Sequence, residues 1–479
     1  MNLLNNSKLT RKGFIIYKKF LNEQIKKEIE CDLIVQPYIN PEFGSPSPYF
    51  AVYGENDNKL YLPRFYAVKK FGLPLKIDLD IGDKITTKFI GKLKKDQIEP
   101  VEKTLKSIKK TGGGILSLEC GGGKTCCALY IWTQLRVKCL VIVHKDFLMK
   151  QWAERIKQFT NGTIGIIKQN KIDIENCDIV IGMLQSISMK DYSKKLFNSF
   201  GMVIVDEAHH ISSQVFSQAL PKISTKYMLG LTATPTRKDG LTKVFKWYLG
   251  DISYIRKRDE DNNVIVNKYL FFDSDNKYCK EQKNHFYKLN LSSMITNICN
   301  FEPRIDMIIN ITKQLLLEKR KILILSDRRK HLNDIMKNLN DNNIFNVGYY
   351  VGGMKEEELN KSEKCLIILA TYSMASEGLD IPSLNTLILA SPKSDIVQSV
   401  GRILRKKHNM IKPIIVDIVD QFSIFVKQSN KRHIYYEKCG YDIKQIDYYT
   451  GEIIKEKIEC RKKPIILETN ELCIEFESD

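Results

Sequence analysis

Two stretches of this 479-residue chain hold residue types suited to phosphate chemistry. The first, LSLECGGGKTCCALYIW, runs from Leu116 to Trp132. Its apolar start reads as a buried strand and TCCALYIWTQL as the opening of a helix, with Cys120, Gly121, Gly122 and Gly123 in the turn between them. Glycines let a backbone wrap closely round a phosphate, and a helix N-terminus offers it unpaired N–H groups. Lys124 would reach the β- and γ-phosphates of a nucleotide, and the Thr125 hydroxyl would hold Mg²⁺. The stretch departs from the strict phosphate-loop pattern at one place. Leu118 stands where a glycine is expected five residues before Gly123.

The second stretch is GMVIVDEAHH, from Gly201 to His210. It reads as a buried strand ending in two carboxylates. Asp206, at the carboxyl end of that strand, is placed to hold Mg²⁺ through water. Glu207 beside it can orient and deprotonate an attacking water. An Asp-Glu pair alone is also what a solvated helix N-terminus looks like. With a phosphate loop upstream, the catalytic reading is the stronger one.

The elements that must position these groups follow from the rhythm of the chain. Residues 1–88 read as a small α+β domain. It has a charged helical stretch from Tyr17 to Glu30 and two strand-like runs, DLIVQPYI and KLYLPRFYAV, with the loop NPEFGSPSPYF between them. Over residues 89–258, short β-branched runs (GILSLEC, CLVIVH, CDIVIGM, YMLGLTATP) alternate with amphipathic stretches, which predicts a parallel sheet covered on both faces. Residues 259–300 lack that rhythm and read as a linker or inserted helical segment. It returns over 301–448 in KILILSD, NVGYYVG, KCLIILATY, TLILASP and IIVDIVD, and residues 449–479 read as a tail. The expected fold class is α/β, with two tandem parallel-sheet domains behind a small N-terminal domain.

The 75 Lys+Arg residues outnumber the 56 Asp+Glu by 19, which points to a polyanionic partner, nucleic acid in preference to an anionic membrane surface. The twelve cysteines are scattered without a Cys-x-x-Cys pair, and the N-terminus MNLLNNSKLTRKG is polar. Both features fit a reducing intracellular compartment. No apolar run reaches the roughly 20 residues that span a bilayer, so no membrane partner is expected. The seven histidines show no metal-ligand spacing.

Read together, GGGKT and DEAHH resemble the superfamily 2 helicases and translocases, whose further motifs can be matched in order. DQIEPVEKTL places Gln97 where the family reads adenine. VIVHKDFLMKQW resembles motif Ia and ends in Gln151 and Trp152. IGMLQSI resembles the next strand-contact motif, with Gln185 and Ser186. GLTATPTRKDG contains Thr232 and Thr234, which in the family couple hydrolysis to nucleic-acid contact. ILILSDRRKHL resembles motif IV. ILATYSMASEGLDIP resembles motif V, with Thr371, Gly378 and Asp380, and QSVGRILR resembles motif VI.

The resemblance covers roughly residues 90–420 and implies two RecA-like domains that use ATP and Mg²⁺. The box is Asp206-Glu207-Ala208-His209. Gln398 would orient water, while Arg402 and Arg405, three apart and on one face if the segment is helical, would stabilise charge on the γ-phosphate. Gly378 and Asp380 would help to bind ATP. Gln185, Ser186 and Thr371 are candidate nucleic-acid contacts. Trp152 would either stack on a base or pack as core.

LECGGGKT, LTATPTRKDG and DIVQSVGRILR look most like the XPB-type group, which includes transcript-release helicases of large DNA viruses. That implies movement on DNA, with RNA as the alternative substrate, a transcription complex as a candidate partner, and a virion or host-cytoplasm setting. In XPB-type proteins an Arg-Glu-Asp element follows Thr-Ala-Thr; here Arg237, Lys238 and Asp239 reverse the middle charge, so its unwinding role is not carried over. Strand separation, translocation without it, and oligomeric state are left open.

Overall fold

The computed structural model describes residues 3–38, 47–119, 121–190, 192–209, 219–237, 239–256, 264–285, 287–377, 379, 381–404 and 411–457. They fall into two compact units. The first takes the described chain up to residue 256 together with residues 281–294 and 373–382; the second takes the rest.

The first unit opens with a sheet of five strands, β1 (Ser7–Thr10), β2 (Gly13–Tyr17), β3 (Gly54–Glu55), β4 (Lys59–Leu62) and β5 (Lys76–Asp78), in the order β3-β4-β2-β1-β5. The expected helix after Tyr17 forms later, as α1 (Glu23–Leu33), where the Asn22 side chain caps it by accepting the Ile25 N–H at 2.7 Å. Among the described residues of DLIVQPYI, only Ile34–Val35 pairs as strand. KLYLPRFYAV also differs from expectation: it is a strand only to Leu62, and Arg64–Phe71 is a helix, α2. Pro63 explains the switch. It has no N–H to give a ladder, and its φ of −54° suits the start of a helix.

Arg64 ties this sheet to the remainder of the first unit. Its guanidinium is buried and has three backbone carbonyls as partners: Thr111 at 3.0 Å, Thr225 at 3.2 Å and Lys226 at 3.0 Å. Burial without a carboxylate pulls its pKa down to about 10. Removing this side chain takes the donor from three carbonyls, among them that of the buried Thr225. Arg64→Ala is therefore expected to lower stability by about 3 kcal/mol in urea unfolding. A wild-type midpoint would mean that water replaces the guanidinium there.

The second part of the first unit is a sheet of eight strands. They are β6 (Gly113–Ser117), β7 (Cys139–Val143), β8 (Ile164–Lys168), β9 (Lys171–Asp173), β10 (Ile179–Met183), β11 (Met202–Val205), β12 (Tyr227–Thr232) and β13 (Ile252–Ile255), ordered β9-β8-β10-β7-β11-β12-β6-β13. All neighbours run parallel except β8 and β9. Alternate side chains enter two cores. Val141, Ile204 and Leu231 join Trp132 and Trp152 in one; Leu140, Val203 and Met228 join Phe245 in the other. Burial on both faces is why the strands read as unbroken apolar runs. The helices of this part include α3 (Lys95–Thr111), α4 (Lys124–Leu135), α5 (Asp146–Phe159), α6 (Leu184–Met189) and α7 (Thr242–Leu249).

The second unit holds another sheet of eight: β14 (Ile265–Phe271), β15 (Ile322–Ser326), β16 (Val347–Tyr350), β17 (Ile367–Thr371), β18 (Thr386–Leu389), β19 (Ile414–Asp420), β20 (Asp442–Asp447) and β21 (Ile453–Lys457), ordered β16-β17-β15-β18-β19-β14-β20-β21. Its main helices are α8 (Glu302–Leu317), α9 (Arg329–Asp341), α10 (Val397–Val400) and α11 (Ser423–Lys438). Two strands come from segments expected to be linker and tail. β14 lies inside the sheet between β19 and β20, and β21 forms its antiparallel edge. The polar pair Asn267-Lys268 masks β14 in the sequence. Lys268 is nonetheless buried, and in register with Asp417, whose charge offsets the burial that lowers the lysine's pKa.

Two buried ion pairs hold this unit. Arg304 Nε meets Asp420 Oδ1 at 2.7 Å, and Tyr278 donates to the same oxygen at 2.8 Å. Arg432 Nη2 meets Asp417 Oδ1 at 2.7 Å, and Tyr436 donates to Asp417 Oδ2 at 3.1 Å.

Candidate active site

The carboxyl ends of three adjacent strands build the site. Ser117 of β6 is in register with Thr232 of β12, and Gly230 of β12 with Val205 of β11. The phosphate loop, Thr232 and Asp206 therefore leave the sheet side by side, at the edge where open α/β sheets place ligands.

Leu118, which breaks the strict loop pattern, is buried, and its N–H donates to the Thr232 carbonyl at 3.2 Å. It extends the strand's core by one residue, which is why an apolar side chain stands there. The turn then needs glycine twice: Gly121 has φ 83° and Gly123 φ 79°. Gly123 is also pressed by Gln97, whose Nε2 occupies the space a Cβ would need. Gln97 itself is buried, and its Oε1 accepts the Lys94 N–H at 3.0 Å at the start of α3. Lys124 begins α4 and donates to the Leu118 carbonyl at 3.3 Å. Thr125 comes next, half-buried, on the first turn.

Asp206 is held from three sides. Its N–H donates to the Ile142 carbonyl of β7 at 3.0 Å. Its Oδ1 accepts the Glu207 N–H at 3.0 Å, and its Oδ2 accepts the Trp152 indole N–H at 2.8 Å. Burial, reinforced by the neighbouring Glu207, lifts the Asp206 carboxyl to about 6, with Lys124 pulling the other way. Glu207 adopts a φ of 47°, in the left-handed region. Its Oε2 is buried without a hydrogen bond, and His209 Nδ1 lies 3.4 Å away. Ala208 is fully buried.

From His209 a chain of contacts runs to the Thr-Ala-Thr stretch. Thr232 Oγ1 donates to the Thr234 carbonyl at 3.0 Å and accepts the Thr234 N–H at 3.1 Å. With its one proton spent, it must accept from His209 Nδ1–H, 3.1 Å away. Burial keeps the His209 pKa low, against the pull of Glu207. Arg237 bonds the His209 carbonyl and is paired with Asp239, Nε to Oδ1, at 2.9 Å.

The remaining candidates lie on other elements. Gln185 is exposed on α6, with Nε2 donating to the His144 carbonyl at 2.8 Å. Ser186 is buried, its hydroxyl accepting the Gln169 N–H at 2.9 Å. In the second unit, Thr371 ends β17 and Gln398 is half-buried on α10. Arg402 lies beyond that helix and is buried, with its N–H bonded to the Ser399 carbonyl at 3.1 Å. The helix expected to carry both arginines closes at Val400, and Arg402 and Ile403 follow in turns whose N–H groups bond three residues back, to the Ser399 and Val400 carbonyls. Cys120, Lys238, Gly378, Asp380 and Arg405 lie outside the described residues.

Trp152 is 1% exposed, so the packed reading holds and base stacking does not. Sequence reasoning missed its bond to Asp206. The available signal was a tryptophan on the helix after β7, the strand beside the one that ends in Asp206.

Comparison with known proteins agrees with this arrangement. Residues 90–237 match the family described as type III restriction enzyme, res subunit, and residues 304–407 match the helicase conserved C-terminal domain. A protein of Acanthamoeba polyphaga mimivirus named as an ATP-dependent RNA helicase is 39% identical over 475 residues, 95% of this chain and 89% of that protein. A protein of Invertebrate iridescent virus 6 named as a helicase is 27% identical, over 79% of this chain and 88% of its own length. Among solved structures, S. cerevisiae Dbp5 bound to RNA and ADP BeF3 shares the fold at TM-score 0.51 and 13% identity, over 74% of this chain and 94% of that one. A fragment of an HsdR subunit of a Vibrio vulnificus type I restriction enzyme does so at TM-score 0.53 and 15% identity, over 77% and 71%. With two parallel-sheet domains and a relative this similar along nearly its whole length, the chain belongs to the superfamily 2 helicases and is an ATP-hydrolysing enzyme.

Proposed function

We propose that this helicase is a DEAH-box motor of the XPB-like group that moves along DNA. The observation that carries the reading is the convergence of Lys124, Asp206, Glu207, His209 and Thr232 at the carboxyl ends of β6, β11 and β12. The donor set fits Mg²⁺ and a nucleotide. Two left-handed glycines turn the loop in front of the N-terminus of α4, and the adjacent carboxylates of Asp206 and Glu207 stand with Lys124 near them.

Thr125 and Asp206 would hold Mg²⁺, which when bound neutralises phosphate charge. Gln97 reads the adenine; Cys120, Gly121, Gly122, Gly123 and Lys124 cradle the phosphates. Glu207 takes the proton from the attacking water, which Gln398 orients. Arg402 and Arg405 stabilise charge on the γ-phosphate, and Gly378 and Asp380 contribute to ATP binding. Thr232 and Thr234 relay the state of the site through His209. Gln185 and Thr371 contact the nucleic acid, while Ser186, buried with its hydroxyl on the Gln169 N–H, ties α6 to the turn after β8.

The excess of 19 positive charges favours a nucleic acid, and the XPB-like form of the motifs favours DNA. RNA is the second reading, favoured by the name of the mimivirus relative. The XPB-like form of the motifs supports a role in transcription, such as releasing a transcript, and the relatives named above are viral. The deciding experiment measures steady-state ATPase activity with no polymer, single-stranded DNA, duplex DNA or single-stranded RNA. We expect stimulation by DNA that weakens with salt. Stimulation by RNA alone would overturn the DNA reading.

A further inference from the structure

We propose that Trp152 is a positioning residue for the metal-binding carboxylate, setting the orientation of Asp206 through its indole N–H. This rests on the proposed role of Asp206 in holding Mg²⁺. The carboxylate has two local restraints, one on each oxygen. The Glu207 N–H holds Oδ1 at 3.0 Å, and the Trp152 N–H holds Oδ2 at 2.8 Å. The first comes from the next residue and moves with it. The second comes from α5, whose preceding strand β7 also supplies the Ile142 carbonyl that accepts the Asp206 N–H at 3.0 Å. One strand-helix pair therefore grips Asp206 by backbone and by side chain.

The indole is fixed in turn. Trp152 is 1% exposed among Val141, Val143, Ile204 and Trp132 of the same core. A donor locked this way leaves the carboxylate one plane, with its outer lone pairs free. Ligands whose orientation is set by a second ring of hydrogen bonds bind metal more tightly, and losing such a partner costs roughly 10- to 100-fold in metal affinity or activity.

Trp152→Phe keeps an aromatic ring in the core and removes the N–H. Trp132→Phe is the matched control. Trp132 is fully buried in the same cluster, and its N–H donates to the Val137 carbonyl at 2.8 Å, away from the phosphate loop. Asp206→Asn tests the underlying metal assignment. Two quantities are read for each variant: the affinity for a fluorescent ATP analogue in EDTA and across a Mg²⁺ titration, and the Mg²⁺ concentration for half-maximal ATPase.

We expect Trp152→Phe to need about tenfold more Mg²⁺ in both titrations, with wild-type affinity in EDTA. Trp132→Phe should keep the wild-type Mg²⁺ dependence. If Trp152→Phe titrates as wild type while Asp206→Asn is impaired, the positioning role is wrong and the metal assignment stands. If both tryptophan variants shift together, the effect is general loosening of the core and the proposal falls. If Asp206→Asn shows wild-type Mg²⁺ dependence, the metal assignment fails and the proposal with it.

Discussion

Glu207→Gln will bind ATP with wild-type affinity and turn it over at least about a hundredfold more slowly. The substitution removes the carboxylate's charge and with it the capacity to take a proton. It keeps the side chain's length and the backbone at φ 47°, and leaves Asp206, Trp152 and Lys124 untouched. His209 Nδ1, 3.4 Å from Glu207 Oε2, still meets an amide oxygen or nitrogen in that place. Titration with a fluorescent ATP analogue and steady-state phosphate release in the presence of DNA check the two halves separately. Hydrolysis at the wild-type rate would remove Glu207 from the chemistry.

Asp420→Ala should unfold the second unit at markedly lower denaturant, by about 3–5 kcal/mol. Arg304 is fully buried, with Nε and Nη2 on the two Asp420 oxygens at 2.7 and 3.1 Å, and the substitution leaves that charge in the core. The contacts that survive do not replace the carboxylate: Arg304 retains the Ala390 carbonyl, while the Tyr278 hydroxyl loses its acceptor on Asp420. The effect belongs to the unpaired charge rather than to the worth of the pair. Arg304→Met combined with Asp420→Leu should therefore recover most of the loss, because apolar groups can fill the space of a buried ion pair. Urea unfolding monitored by circular dichroism reads both variants. A wild-type midpoint for Asp420→Ala would show that Arg304 finds water or another acceptor.

Much of the motor was legible because its strands are buried on both faces. CLVIVH, CDIVIGM and YMLGLTATP became β7, β10 and β12 within a few residues at each end. The phosphate loop and the carboxylate pair were legible because short-range spacing sets them. What escaped depends on partners distant in sequence. β14 carries Asn267 and Lys268, and only register with β19 and β20 makes it an inner strand. Pro63 turns a continuous apolar run into a strand and then a helix, and the run alone does not show where. The Trp152–Asp206 bond needs α5 folded over the sheet, and no local pattern encodes that.

Glu207 matters beyond turnover. A glutamate at φ 47° carries a backbone cost of about 1 kcal/mol that glycine would escape. Selection for durability alone would drift toward glycine at this position and discard the activity without disturbing the fold. Glu207 is also the residue to which we assign the proton transfer of hydrolysis, so among descendants of this chain a silent motor would tend to be a sturdier protein than a working one.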